Sequence, residues 1–307
     1  GTNSSSAVFN YVPSNGDVIT CVMTSNNSCT IPKTATASIT MTVTGDKNYW
    51  IGAVGVGGTV WSDPDNWTAH KVPASGDNVE FATEGNNGGV GKAAKNDLYL
   101  DYNRVVGNLI NNASGRNLII PADKELVVNN KISLTAVTDP TKKYDQIQIK
   151  ADDTGVKPNG SLIFYNLRTV PVNATIEFYS KAYKEATPIV VPTGSYSYNW
   201  QLFGVPLTSV TADPTFYGSY VREYQENKPG LYTKWVQLNN ASVLEPFKGY
   251  EITQLAPKII TSKGTLVNQD KTISLPVTAK ESTPPDKFTS VYFRGQHIVS
   301  NPYAAAI

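Results

Sequence analysis

The sequence predicts an all-β protein, and three observations support this fold class. Tyrosine (17 residues), threonine, valine and isoleucine are abundant, and these side chains fit the pleated, half-buried surface of a sheet. Leucine, alanine, glutamate and lysine do not recur at helical spacing. Short alternating runs recur along the chain between turns rich in asparagine, glycine, aspartate and proline. We expect a partial immunoglobulin-like segment, then a β-solenoid or β-helix-like region, then a β-sandwich-like region.

Composition limits the classes of partner. The 307 residues are 40% hydrophobic, which is sufficient for a buried core. The 26 lysines and arginines nearly balance the 25 acidic residues, so the surface has no long-range field to attract nucleic acid or an anionic membrane. No apolar run approaches the roughly 18 residues of a transmembrane helix. We expect a chain that neither binds nucleic acid nor spans a membrane, and that is joined to other domains of a longer parent chain.

Residues 1 to 44 contain three strand-like segments, at residues 8 to 13, 18 to 23 and 37 to 43. The first two flank an Asn-Gly turn, which favours a hairpin, and the third alternates with period two. The cysteines, Cys21 and Cys29, enclose a short polar loop. A disulfide between them would stabilise the fold by about 2 to 3 kcal/mol and would indicate an oxidising, extracytoplasmic compartment. Two free thiols are the alternative.

Residues 45 to 182 contain many short strands that cannot each bury a face alone, which favours stacking into a parallel β-helix. Because the repeat is irregular, a two-sheet sandwich is the competing interpretation. The region opens with Trp61 and Trp67, whose indoles are predicted to cap an apolar end. The predicted strands are residues 79–81, 98–100, 105–106 with 109–110, 118–120, 125–128, 131–134, 146–149, 161–164 and 175–178.

Residues 183 to 307 are aromatic and looped, with longer strand-like runs at residues 196–206, 216–224, 234–238 and 244–252. Wider side chains in longer strands favour a β-sandwich or jelly-roll-like layer packed on the end of the solenoid.

Two resemblances to known families follow from these motifs. Residues 15 to 25 and 38 to 43 resemble the C-terminal half of an immunoglobulin-like repeat of large bacterial surface proteins. This implies that the strands completing that sandwich precede residue 1. The Trp-rich opening, together with residues 200–206, 246–250 and 300–303, is similar to the solenoid region of Bacteroidetes-type secreted adhesin-like proteins. Several of these are exported by the type IX route, so the resemblance implies an extracellular or cell-surface location.

Catalytic and metal-binding patterns are sparse. The two histidines lie far from any Gly-x-Ser-x-Gly elbow. Asp63, Asp65 and Asn66 form the best oxygen-rich cluster; we expect them to cap a turn, with a calcium site as the alternative. No other cofactor is predicted.

A carbohydrate-active β-helix enzyme, either a polysaccharide lyase or a glycoside hydrolase, would need converging carboxylates with a lysine or arginine. Its candidate residues are Glu80, Asp101, Arg104, Asp123, Lys150, Asp152 and Glu177.

Aromatic side chains are the candidates for ligand contact. Sugars present apolar C–H faces that pack on exposed indole and phenol rings. The candidates are Trp200, Trp235, Tyr198 and Tyr220, although aromatic residues serve equally in β cores. We expect a non-enzymatic adhesin-like protein that acts as a stiff β scaffold and contacts a glycan or a host protein. A carbohydrate-binding module would instead show a planar row of exposed rings.

Overall fold

The structure is a computed structural model that describes residues 17–27, 31–40, 47–53, 58–134, 144–164, 171–185, 197–228, 232–278 and 295–305. The chain divides into two compact units, Gly1–Lys47 and Asn48–Ile307. The division lies close to the predicted boundary between residues 44 and 45. The second predicted boundary, between residues 182 and 183, falls inside the second unit.

The first unit contains an antiparallel pair of strands, β1 (Val18–Thr24) and β2 (Thr34–Thr40). Ile19 lies opposite Ile39 and Met23 opposite Ala35, so one face of the pair is apolar. Thr20 and Ser38 lie opposite each other on the other face, and their hydroxyl oxygens are 2.9 Å apart. The predicted strand at residues 8 to 13 lies outside the described residues.

The predicted disulfide is not resolved by this structure. Cys21 lies in the middle of β1, opposite Ala37, and its side chain is exposed. Cys29 lies in the connection between β1 and β2, outside the described residues. The pairing of these two cysteines therefore stays a prediction.

The second unit consists almost entirely of short strands. In chain order they are β3 (Tyr49–Trp50), β4 (Val79–Phe81), β5 (Leu98–Tyr99), β6 (Arg104–Asn111), β7 (Leu118–Ile120), β8 (Glu125–Leu134), β9 (Ile147–Ile149), β10 (Ser161–Phe164), β11 (Asn173–Ser180), β12 (Tyr183–Lys184), β13 (Tyr198–Asn199), β14 (Gln201–Phe203), β15 (Val210–Thr211), β16 (Ser219–Tyr224), β17 (Trp235–Gln237), β18 (Val243–Leu244), β19 (Tyr250–Gln254) and β20 (Lys258–Thr265).

Consecutive strands from β4 to β11 alternate between two sheets. The first sheet has the order β10-β8-β6-β4-β3, and all its neighbouring strands are parallel. The second has the order β20-β11-β9-β7-β5, in which only β20 is antiparallel to its neighbour. The chain therefore passes from one sheet to the other and back, adding one strand to each sheet in turn.

The core follows from period-two burial within these strands. In β7 the side chains of Leu118 and Ile120 are fully buried, while Ile119 between them is partly exposed. The same pattern recurs in β4 and β9. Each fully buried Val, Leu or Ile side chain contributes about 1.5 to 3 kcal/mol. Stacked strands of only three residues can therefore bury a continuous core.

Three indoles close one end of this core, at the β3 edge of the first sheet. Trp50, Trp61 and Trp67 are fully buried. The Trp67 ring lies edge-on to both others, with ring centroids 5.2 Å from Trp50 and 5.3 Å from Trp61. Trp67 Nε1 donates a hydrogen bond to the Trp61 carbonyl at 2.8 Å. The predicted cap of Trp61 and Trp67 is therefore present, and Trp50 completes it.

The aromatic region, residues 183 to 307, packs its buried side chains against those of the alternating sheets. Strand β20 pairs with β11 from Asn173 opposite Thr265 to Ser180 opposite Lys258. Phe203 of β14 stacks on Phe178 of β11, with ring centroids 5.5 Å apart. These contacts are the physical reason why no compact unit begins near residue 183.

The remaining strands form a separate antiparallel layer within the second unit. Its main sheet has the order β14-β19-β16-β17, and β12 with β13 and β15 with β18 form two small pairs. The described helices are single turns at Pro64–Asn66, Ala212–Thr215 and Tyr232–Lys234. In the described part of the chain, none of them has the length and apolarity needed to cross a bilayer.

Candidate functional site

The sheet β14-β19-β16-β17 presents an aromatic and charged outer face. In β16 the side chain of Val221 is buried, so Tyr220, Arg222 and Tyr224 point to the opposite face. Arg222 lies opposite Glu251 of β19, and Tyr224 lies opposite Trp235 of β17. The pleat and the strand register therefore bring aromatic rings from three segments of the chain together.

A surface groove of 470 Å³ lies at one end of this face. Rings from two of these segments meet in it, because Trp200 lies edge-on to Tyr220 with ring centroids 6.2 Å apart. The exposed fractions are 42% for Tyr198, 36% for Trp200 and 47% for Tyr220, so each ring has surface available to a ligand. The groove is lined by Tyr198, Trp200, Gly218, Ser219, Tyr220, Thr253, Gln254 and Leu255.

Protein hydrogen bonds fix the polar side chains of the groove. The Tyr220 hydroxyl donates to Gln237 Oε1 at 2.6 Å. Thr253 Oγ1 donates to the Asn199 carbonyl at 3.1 Å. Gln254 Nε2 donates to the Ala182 carbonyl at 3.0 Å. Because the eight described residues that line the groove carry no charge, its surface combines apolar rings with neutral polar groups.

Arg222 connects the groove to the rest of the outer face. Its guanidinium carbon lies 3.7 Å from the ring centroid of Trp200 and 5.5 Å from that of Trp235. It also forms an ion pair with Glu251, whose side chain is nearly buried. Burial raises the pKa of the Glu251 carboxyl above its usual range, and the neighbouring Arg222 acts in the opposite direction.

Three of the four aromatic residues that the sequence predicts as ligand contacts line the groove, and one does not. Tyr198, Trp200 and Tyr220 meet in the groove, while half-buried Trp235 does not line it and packs on Tyr224 instead. Sequence patterns did not indicate the polar and aliphatic side of the groove, which is formed by Thr253, Gln254 and Leu255. They also did not indicate Arg222 and Glu251. The alternation of residues 219 to 224 could have indicated that Tyr220 and Arg222 share a face.

The oxygen-rich cluster near the tryptophan cap is occupied by protein contacts. Asp63 Oδ1 accepts a hydrogen bond from the Asp65 backbone amide at 3.0 Å and caps the turn, as expected. Asn66 is fully buried, and its Oδ1 accepts from the Ala53 amide at 2.9 Å. Among the described residues, no group of three or more His, Cys, Asp or Glu side chains could hold a metal ion. The calcium site stays a prediction without a converging ligand set.

The carboxylates of the enzyme alternative are dispersed over the alternating sheets. Glu177 forms an ion pair with Lys150, with Oε1 and Nζ 2.6 Å apart. The other four have separate local contacts: Glu80 with Asn86, Asp101 with Ser62, Asp123 with Lys124, and Asp152 with its own loop. Among the described residues, no three of them form a group that could hold a metal ion. Arg104 lies over the Tyr102 ring, with its guanidinium carbon 5.6 Å from the centroid.

Asp152 has an unusually acidic carboxyl in the loop between β9 and β10. Its Oδ2 accepts from the amides of Lys157 and Val156 at 2.9 and 2.8 Å and from the Thr154 hydroxyl at 2.5 Å. These bonds, led by the one from Lys157, lower its pKa from 3.8 to about 2. The loop is therefore held by an ionised carboxylate.

We expect the Asp152 carboxyl to titrate at about pH 2 in the folded chain when followed by carbon-detected NMR. Because the folded pKa lies below the unfolded value, its stabilisation is present above pH 3.8 and is lost as pH falls toward 2. Thr154→Val removes one donor and should move the midpoint toward 3.8. A midpoint that is the same in Thr154→Val as in the wild type would contradict the assigned hydrogen bonding.

Comparison with known proteins shows that the chain is similar in sequence to part of a fimbrial protein. No protein-family model matches it, and no solved structure matches it. Over 269 aligned residues it is 31% identical to the minor fimbrium subunit Mfa5 of Porphyromonas gingivalis. The alignment covers 85% of this chain and 20% of that protein. The chain thus spans about a fifth of the length of the curated relative that it matches. It is a distant homologue of part of a fimbrium subunit, consistent with the expected Bacteroidetes surface protein.

Proposed function

We propose that this chain is part of an adhesin-like fimbrial protein at the cell surface, and that its aromatic groove binds an uncharged glycan. The homologue's name as a fimbrium subunit supports the surface role. The observation that carries the binding role is the meeting of Tyr198, Trp200 and Tyr220 in one exposed groove.

The chemistry of the groove matches that of a sugar ring. The exposed indole and phenol surfaces can pack on C–H faces, and the neutral polar groups can contact hydroxyls at the rim. None of the described residues that line the groove is charged. A neutral hexose or a short neutral oligosaccharide is therefore the ligand class that we propose. A host-protein segment is the alternative occupant.

The alternating sheets supply a scaffold for this groove. We propose that β4 to β11 form a short β-solenoid, since each pass of the chain adds one parallel strand to both sheets. Stacked strands of this kind resist bending because every strand is bonded to its neighbours. The dispersed, individually partnered carboxylates favour a non-enzymatic scaffold over a polysaccharide lyase or glycoside hydrolase.

The context of the chain follows from the same proposal. A fimbrium subunit acts in assembly, so we propose an extracellular or cell-surface location and contacts with further subunits or with other domains of a longer chain. We propose no cofactor, and calcium at Asp63, Asp65 and Asn66 remains the alternative.

The binding role is tested by incubating the purified chain with a panel of neutral and acidic glycans while measuring retention and product release. We expect retention of neutral glycans without cleavage. Trp200→Ala should weaken binding about tenfold or more, because loss of one stacked ring removes roughly 1.4 kcal/mol. Tyr217→Ala is the matched control, since Tyr217 is 80% exposed and does not line the groove.

Each other result contradicts a defined part of the proposal. Equal binding by Trp200→Ala and the control would place the glycan elsewhere. Release of shortened products would support the enzyme alternative. Retention of host proteins added to the same panel, with no retention of glycans, would identify a protein-directed adhesin.

A further inference from the structure

We propose that Arg222 is the positioning residue of the groove: it fixes the Trp200 indole in the orientation that receives the glycan. The inference rests on the proposed glycan binding and extends it to a residue that does not touch the ligand. Arg222 is not among the residues that line the groove.

Trp200 needs an external restraint. It lies between β13 and β14, outside both strands, and 36% of its surface is exposed. An exposed indole on a connecting residue has several side-chain rotamers available. The guanidinium carbon of Arg222 lies 3.7 Å from the centre of the indole, the distance of a stacked planar pair. This stack selects one orientation of the ring and leaves another part of the indole to line the groove.

Arg222 is itself held by Glu251 and Trp235. Glu251, directly opposite on β19, forms an ion pair with its guanidinium group. Trp235 lies at 5.5 Å from the guanidinium carbon, on the neighbouring strand β17. Tyr220 and Tyr224 are the next side chains on the same face of β16. The guanidinium plane is therefore fixed before any ligand arrives.

The ion pair also determines the charge that a ligand meets. Glu251 compensates the positive charge of Arg222, so the stack can order Trp200 without attracting anions to the groove. Lys258 Nζ, which lies close to Gly218 of the groove, donates to the Tyr217 carbonyl at 2.8 Å. An ordered aromatic surface beside a compensated ion pair matches an uncharged glycan.

The energetic consequence is preorganisation. A ligand that binds a mobile indole must also restrict it, and that restriction weakens the affinity. Lysine keeps the positive charge for Glu251 but lacks the planar group that stacks on the ring. Arg222→Lys should therefore loosen Trp200 while the fold and the ion pair persist.

The experiment labels the five tryptophans with 5-fluorotryptophan and records fluorine NMR spectra with and without a neutral oligosaccharide. Trp200→Phe assigns the Trp200 resonance. The buried Trp50, Trp61 and Trp67 report the integrity of the fold in the same spectrum. Arg104→Lys is the matched control, because Arg104 lies in β6 of the first alternating sheet and its guanidinium group lies over the exposed Tyr102 ring.

We expect Arg222→Lys to broaden or split the Trp200 resonance and to weaken glycan affinity about three- to tenfold, as loss of a cation–π stack implies. The three buried resonances should stay unchanged, and Arg104→Lys should resemble the wild type. Glu251→Gln, which keeps Arg222 but removes its charged partner, should produce a smaller change of the same kind. It serves as the second test if the buried resonances of Arg222→Lys shift.

Two results overturn the inference while glycan binding itself stands. One is a Trp200 resonance that is as sharp in Arg222→Lys as in the wild type. The other is a broadened resonance with unchanged affinity. If the wild-type chain binds no glycan, the proposed function fails and the binding role of Arg222 with it, but the spectrum of the free chain still decides whether Arg222 orders the indole.

Discussion

Trp67→Ala is expected to lower the free energy of unfolding of the second unit by about 3 to 5 kcal/mol. Trp67 is fully buried and lies edge-on to both Trp50 and Trp61. The substitution removes the central ring of the cap, leaves a cavity at the end of the core, and deprives the Trp61 carbonyl of its hydrogen bond. The measurement is denaturant unfolding followed by circular dichroism.

Tyr217→Ala is the control for this prediction, because it removes an aromatic ring that is 80% exposed. A surface change of this kind should alter the free energy of unfolding by no more than about 0.5 kcal/mol. If both variants unfold at the same denaturant concentration, the tryptophan cluster does not stabilise the end of the core.

Arg222→Met is expected to cost about 3 kcal/mol, because it leaves the nearly buried Glu251 carboxylate without its charged partner. The double variant Arg222→Met with Glu251→Leu should recover most of that loss, since an apolar pair of similar volume needs no compensation. Unfolding of the two single variants and the double variant forms a mutant cycle. Additive losses would show that the two side chains do not depend on each other.

The loss in Arg222→Met should depend on pH with a defined sign. Burial raises the pKa of Glu251 above its ordinary value of 4.5, and removal of Arg222 raises it further. A group with a raised folded pKa keeps its full stabilisation below the unfolded value and loses it as pH rises through the folded value. The variant should therefore approach the wild type near pH 4.5 and fall further below it toward neutral pH. A loss that is constant over this range would show that Glu251 is not the cause.

Local pattern was sufficient to place most strands of the alternating sheets. The predicted strands at residues 79 to 81, 118 to 120 and 161 to 164 coincide with β4, β7 and β10. Two predicted pairs, at residues 105 to 110 and 125 to 134, merge into the single strands β6 and β8. The register shift between Val106 and Asn108 explains the apparent break in β6, because an irregularity of this kind interrupts the alternation without ending the strand.

Long-range pairing was beyond the reach of local pattern. The local sequence of residues 258 to 265 does not indicate that β20 pairs with β11. The strands of the antiparallel layer, β12 to β19, lie between these two strands along the chain. The predicted boundary at residue 183 marks a real change of composition, but composition does not report which strands share a sheet. The same limit applies to Thr253, Gln254 and Leu255, whose place in the groove depends on the register of β19 against β16.

The sequence by itself determined the all-β class, most strand positions of the alternating sheets and the burial of Trp61 and Trp67, because these depend on short-range periodicity and turn chemistry. It also identified Tyr198, Trp200 and Tyr220 as candidates, since indole and phenol rings can pack on the C–H faces of sugars. Only the tertiary structure decided that these three meet in one groove, that Trp235 does not line it, and that Arg222 stacks on Trp200. Those relations arise from strand register, which joins residues far apart in the chain and leaves no local pattern.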